Sequence, residues 1–306
     1  DATSAVTVDF LAGTAIGDAS VGTDSLSNVN RVRGSNFGDT LLGSNGAGFE
    51  QFQGGSGNDV IDGRGGTQDE VSYSNSREGV TVNLATGVAT DGFGFTDTLS
   101  NIERIRGSDH NDILTGDAND NIINGRFGSD TLIGGGGNDT LKGLVRDVVN
   151  QDFTTADYSA ATAGINVVMT AKGTVTGDAS VGTDTLEAVD RVFGSVFADT
   201  YLVDDLQNGH FGSFSVFEGL GGNDTITGNG RTRVQYTQAT AGVTVDFSAG
   251  TAIGDASVGT DTLNNVTRVR SSSFADTLSG TDGTDFEEFQ GRGGNDVIDG
   301  RGGTSD

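Results

Sequence analysis

The chain has 306 residues, among them 51 Gly but no Cys, Pro or Trp, and hydrophobic side chains make up only 33 %, thin for one round core of this length. Its 43 acidic against 17 basic side chains give a formal charge of −26, a field that repels nucleic acid and anionic lipid and attracts cations. The absence of Cys excludes a disulfide framework, and no stretch approaches the roughly 20 apolar residues of a membrane span.

The first residues, DATSAVTVDF, hold no basic region leading into an apolar run, so no signal peptide is expected. From Val6 the apolar side chains alternate (Val6, Val8, Phe10), which predicts a short strand with one buried face. A Gly/Thr/Asp loop follows, then TDSLSNVNRVRGS from Thr23 with two more brief apolar runs, then GGSGNDVIDG from Gly54. The same succession restarts at Val80 (Val80, Val82, Leu84), at Ile165 (Ile165, Val167, Met169) and at Val243 (Val243, Val245, Phe247). The first and last copies align without a gap over Val6–Asp69 and Val243–Asp306, with 48 of 64 positions identical at a shift of 237. Four repeat units are therefore expected, 1–79, 80–164, 165–242 and a truncated 243–306, joined as one continuous solenoid. Both ends fall in mid-pattern, as expected of a piece of a longer array. No segment carries ten residues of helical periodicity, so the chain is predicted to be all-β with almost no helix.

The second part of each unit has a finer period, clearest over 107–143: GSDHNDILT, GDANDNIIN, GRFGSDTLI and GGGGNDTLK start at 107, 116, 125 and 134. Their sixth positions are Asp112, Asn121, Asp130 and Asp139, and their eighth are Leu114, Ile123, Leu132 and Leu141. Nine residues hold a six-residue turn and a three-residue strand with one inward side chain. One such turn cannot bury its apolar residue, whereas stacked turns bury a continuous column. The expected architecture is a parallel β-solenoid with two nonapeptides per coil.

GGSGNDVID and its fellows resemble the G-G-x-G-x-D-x-U-x repeats of RTX (hemolysin-type calcium-binding) proteins. The resemblance implies a right-handed parallel β-roll, calcium held between stacked loops on each edge, and type I secretion to the cell exterior. The VTVDF and RVRGS portions resemble segments that separate such repeats in large secreted proteins, giving the longer coils.

Calcium takes six to eight oxygens from carboxylates and carbonyls. Glycine-rich turns expose the carbonyls, here at Gly55, Gly57, Gly135, Gly137, Gly222 and Gly294, and the aspartates supply charge. Loops on one edge are two repeats apart, so the expected pairs are Asp39 with Asp59, Asp112 with Asp130, Asp120 with Asp139, Asp199 with Asp224, and Asp276 with Asp296. Asp120 stands one place early, because Asn121 holds the usual acid position, and Asp69 follows a loop one residue longer. Magnesium fits poorly, preferring retained waters, and zinc lacks ligands, with no Cys and only His110 and His210.

The Arg pairs Arg31/Arg33, Arg104/Arg106 and Arg268/Arg270 are read as outward-pointing partners of nearby Asp, with binding of an acidic polysaccharide as the other reading. Asp204/Asp205 and Glu287/Glu288 are read as solvated faces and not as a glycosidase pair. No nucleophile–base pair assembles, so no enzyme activity is expected. An ice-binding solenoid would want a flat ladder of repeated Thr-x-Thr, which this sequence lacks. The expected function is a calcium-binding structural segment of a secreted extracellular repeat protein: an adhesin, surface-layer or filament-like array. Its partners would be calcium and either neighbouring copies or extracellular polysaccharide. The alternative is a non-catalytic calcium module of a secreted polysaccharide-modifying enzyme or protease.

Overall fold

The computed structural model describes residues 2–144, 153–170, 172–203 and 215–302; Asp204, Asp205 and His210 lie outside them. The described residues form 32 strands, nearly all of three to five residues, and no helix. They fall into two compact units, Asp1–Thr154 and Thr155–Asp306.

In the first unit, the 107–143 repeats show the rule. Strand Ile113–Thr115 pairs in parallel with Thr131–Ile133, and Ile122–Asn124 with Thr140–Lys142, so successive nonapeptides alternate between two sheets. One sheet continues through Arg104–Arg106, Asp69–Ser72, Glu50–Gln53 and Arg31–Arg33, all parallel. The second unit has the same plan: Thr155–Asp157, Arg191–Phe193, Val216–Glu218, Arg233–Gln235, Arg268–Arg270 and Glu288–Gln290 pair in parallel order. The β-roll expected from the repeats is the fold of each unit.

The sheets are not wholly parallel, which corrects the simple solenoid expectation. In every unit of sequence the alternating segment and the two runs after it form an antiparallel meander, as in Thr81–Asn83, Val88–Thr90 and Thr96–Ser100. The turn forces this: Gly87 sits at φ 69° and its equivalents Gly13 and Gly250 at 67°, reversing the chain within a few residues. The meanders at 81–100 and 244–264 have parallel neighbours on both sides, whereas the first ends at a sheet edge.

Most strands send one apolar side chain inward. Leu41, Ile61, Phe52, Val71, Leu114, Ile123, Leu132 and Leu141 are all at 0 % exposure. In the second unit Tyr201 and Phe217 fill the interior with rings stacked at 4.6 Å. A low hydrophobic content suffices because a single apolar residue per strand makes the core.

Outward positions differ between the sheets. In the second unit, pairing aligns Thr183, Thr176, Asn166, Thr200, Thr225, Thr262 and Thr251 in one file. A file of six Thr and one Asn is thus present, its members drawn from seven separate strands, where β-branched side chains suit the pleated surface. Replacing Leu114 by Ala should cost about 2–5 kcal/mol in urea unfolding, whereas Ile113→Ala, one residue away and 48 % exposed, should change it by less than about 0.5 kcal/mol.

Candidate metal centre

The loops are built around two glycine requirements of different origin. A β-carbon on Gly57 would fall inside 3.0 Å of the backbone of Phe37 and Gly38, and Gly128, Gly137, Gly222 and Gly294 meet the backbone of His110, Asn119, Phe197 and Phe274 in the same way. This fourth position must be glycine because another loop is stacked against it. The first glycine has a different neighbour: a β-carbon on Gly54, Gly125, Gly134, Gly219 or Gly291 would collide with Oδ2 of the aspartate five residues on. The carboxylate folds back over the start of its own loop. By contrast the second position tolerates Arg126, Leu220 and Arg292 at φ 66–69°.

These contacts bring together the loops of Asp39 and Asp59, Asp112 and Asp130, Asp199 and Asp224, and Asp276 and Asp296, and set residues 117–121 on 135–139. Within each pair a backbone N–H donates to the next aspartate: Asp39 N to Asp59 Oδ1 (2.8 Å), Asp112 N to Asp130 Oδ1 (3.0 Å), Asp199 N to Asp224 Oδ1 (2.9 Å) and Asp276 N to Asp296 Oδ1 (3.0 Å). Asn121, not Asp120, occupies the fifth column, its N–H donating to Asp139 Oδ1 at 2.8 Å. Asp120 is exposed on the rim and accepts from Asn138 N at 2.8 Å.

Two kinds of loop alternate. In the upper loops a serine follows the first glycine or its stand-in, and Ser35, Ser108, Ser195 and Ser272 donate both N–H and Oγ–H to Asp39, Asp112, Asp199 and Asp276. Those carboxylates are satisfied by protein. In the glycine-rich loops Asp59 Oδ2 and Asp224 Oδ2 are buried with no hydrogen-bond partner, and so are both oxygens of Asp69. A buried carboxylate oxygen with no donor is costly unless a proton or cation meets it.

Electrostatics bear this out. Burial, then the nearby Asp97, Asp39 and Asp91, push Asp59 up to about 7 despite the Asp39 N–H. Burial with Asp261 beside it takes Asp224 to about 9. Burial beside Glu103 and Glu50 raises Asp69 to about 7. Asp112 and Asp199 are raised by burial as well.

The column continues through residues the motif did not reveal. Asp59 N donates to Asp97 Oδ1 and Asp224 N to Asp261 Oδ1, both at 3.0 Å. Tyr73, Tyr158 and Tyr236 donate their hydroxyls to Asp97, Asp184 and Asp261 at 3.0, 2.9 and 3.1 Å. The signal was in TDTL: Asp and Leu two apart on a strand share a face, so an inward Leu implies an inward Asp. Glu50 and Glu287 were also missed as loop acids. Glu50 accepts from Ser44 N and Oγ, and Glu287 from Thr281 N. Glu287 is 3 % exposed, which overturns its reading as a solvated face; Glu288 is half-buried and pairs with Arg233 at 2.6 Å. The Arg pairs also differ from expectation. Arg104 pairs with Glu70 and Arg268 with Glu288, while Arg31 and Arg104 lie over Phe49, so their partners are glutamates and rings.

Among the described residues no three acidic or histidine side chains converge on one point. A cation here must take most of its oxygens from backbone carbonyls, which suits calcium. The family model for the RTX calcium-binding nonapeptide repeat matches four copies, within residues 44–67, 106–141 and 215–230. No curated protein matches the chain. The chain thus carries RTX calcium-binding repeats folded as a β-roll; repeats of this kind typically bind calcium, and the buried aspartates are consistent with it.

Carboxylates whose folded pKa is raised favour the protonated fold, so their contribution is full below the unfolded value of 3.8 and is lost as pH rises through about 7 for Asp59 and about 9 for Asp224. In chelator, melting temperature should therefore fall between pH 5 and pH 9, and Asp224→Asn should flatten that slope. Calcium competes with these protons, so its half-saturating concentration should drop over the same range.

Proposed function

We propose that this chain is a calcium-stapled structural segment of a secreted extracellular repeat array, adhesive or filament-like in use, with the ion as a stabiliser and not as a reagent. The observation that carries this reading is the column of buried aspartates in which Asp59 and Asp224 keep an unpartnered oxygen. The metal would be held at the Asp39/Asp59, Asp112/Asp130, Asp199/Asp224 and Asp276/Asp296 loop pairs, and at the pair of Asp139 with the Asn121 loop. Asp69, both of whose oxygens are buried without a partner, would mark a further position.

A formal charge of −26 on stacked coils opposes folding, and each bound ion cancels two units of it. With affinities of extracellular modules, ~10⁻⁴ to 10⁻³ M, about 10 mM calcium adds roughly 1.4–2.7 kcal/mol per site. A few such sites reach the stability of an ordinary domain. This coupling suits export, since the chain stays open where calcium is scarce and folds where it is plentiful.

Circular dichroism should show a β spectrum in calcium that collapses in chelator and returns on titration. Asp130→Ala should raise the calcium midpoint well above that of Asp117→Ala, which lies off the column. A full β spectrum indifferent to calcium would overturn the reading.

A further inference from the structure

Charge is sorted between the two sheets of the first unit. No Lys or Arg stands on any first-unit strand of the sheet that holds Thr7–Asp9 and Thr131–Ile133. On the other sheet, pairing sets Arg33 beside Gln53, Ser72 beside Arg106, Arg106 beside Asn124 and Asn124 beside Lys142. Gln53 and Ser72 end adjacent strands, so these side chains form one file, exposed at Arg33, half-buried at Gln53, Arg106, Asn124 and Lys142, and covered at Ser72. The file carries three cations and no acid, in a chain of formal charge −26. Arg33 and Arg106 make no ion pair with any described residue, and Arg106 Nε is buried without a hydrogen-bond partner. The neighbouring file adds Arg31 and Arg104, held at 5.5 and 5.4 Å over the Phe49 ring, against Glu70.

We propose that this file is a docking surface for a linear acidic polysaccharide. Adjacent strands lie about 4.7–4.9 Å apart, which places Arg33 and Arg106 about 14 Å apart and Arg106 and Lys142 about 10 Å apart, a row that an extended polyuronate can follow. Guanidinium groups grip carboxylates through paired N–H donors, and Gln53 and Asn124 between them suit sugar hydroxyls. Nucleic acid fits less well, because the file has no aromatic on which a base could stack. The second unit supplies a contrast. Its equivalent of Arg33 is Arg270, but the corresponding file includes Asp157 and Glu218. The proposal rests on the extracellular reading only for where such a polymer is met; it concerns a sheet face and not the calcium loops.

The test uses the full chain in saturating calcium with hyaluronan as probe, neutral dextran as control and a single-stranded oligonucleotide as competitor, read by biolayer interferometry. Hyaluronan should bind with an affinity that falls steeply with salt, and dextran should not bind. The double variant R33Q/R106Q should weaken binding at least tenfold with unchanged circular dichroism and melting, K142Q should weaken it less, and R270Q should leave it unchanged. Failure of the folded wild-type chain to bind, equal binding by R33Q/R106Q, or preference for the oligonucleotide would each overturn the proposal. The chelator spectrum reads the calcium reading separately, so the two can fail independently.

Discussion

Where one coil meets the next along the loop edge, the contact is a backbone N–H of one loop donating to a buried aspartate of the following one. Asp39 to Asp59 and Asp59 to Asp97 form one such column, and Asp199 to Asp224 and Asp224 to Asp261 another. Strands satisfy their own backbone through the sheet ladder, but loops have no ladder, and an orphaned buried N–H is costly. A carboxylate in each turn solves this, at the cost of stacking like charges in a dry column. Protons or cations then become part of the fold.

The alternation of serine and glycine loops divides this task. A serine loop closes on its own aspartate with N–H and hydroxyl, and needs nothing further. The glycine loops of Asp59 and Asp224 leave an oxygen open, because their second residue sits at positive φ, as Gly55 does at 106° and Leu220 at 66°, instead of presenting a serine to the carboxylate. The Asp39/Asp59 and Asp199/Asp224 pairs thus each contain one closed and one open carboxylate. An ion bound there would supply the missing partner to Asp59 and Asp224, which burial and then neighbouring carboxylates raise. The Tyr73–Asp97 and Tyr236–Asp261 bonds carry the column past the antiparallel meanders, where no loop of the repeat type is available.

Because the core needs only one inward residue per strand, the outward residues are left to vary. In the second unit they make a Thr-rich file on one sheet, and in the first unit an arginine-bearing file. A solenoid permits this because an outward side chain meets only its neighbours in the file and has no influence on the inward column.

Much of the architecture was legible in the linear sequence. Period 9 with Asp at the sixth place and Leu or Ile at the eighth dictates turn, strand and inward residue, since these are local conformational demands, and the two-repeat separation predicts which loops stack. Three features escaped because they depend on partners distant in the chain. The antiparallel meanders arise from how short strands pair across Gly13, Gly87 and Gly250. Burial of Asp97, Asp184 and Asp261 follows from the facing of a strand once its Leu turns inward, and Glu50 and Glu287 act as loop acids only because a longer loop brings a longer side chain back to Ser44 and Thr281. Composition and repeat spacing determined that this chain is a β-roll built around acidic turns. Which carboxylates are closed by serine and which stay open was decided by tertiary stacking, because a buried oxygen's needs depend on the donors that the neighbouring coil puts within reach.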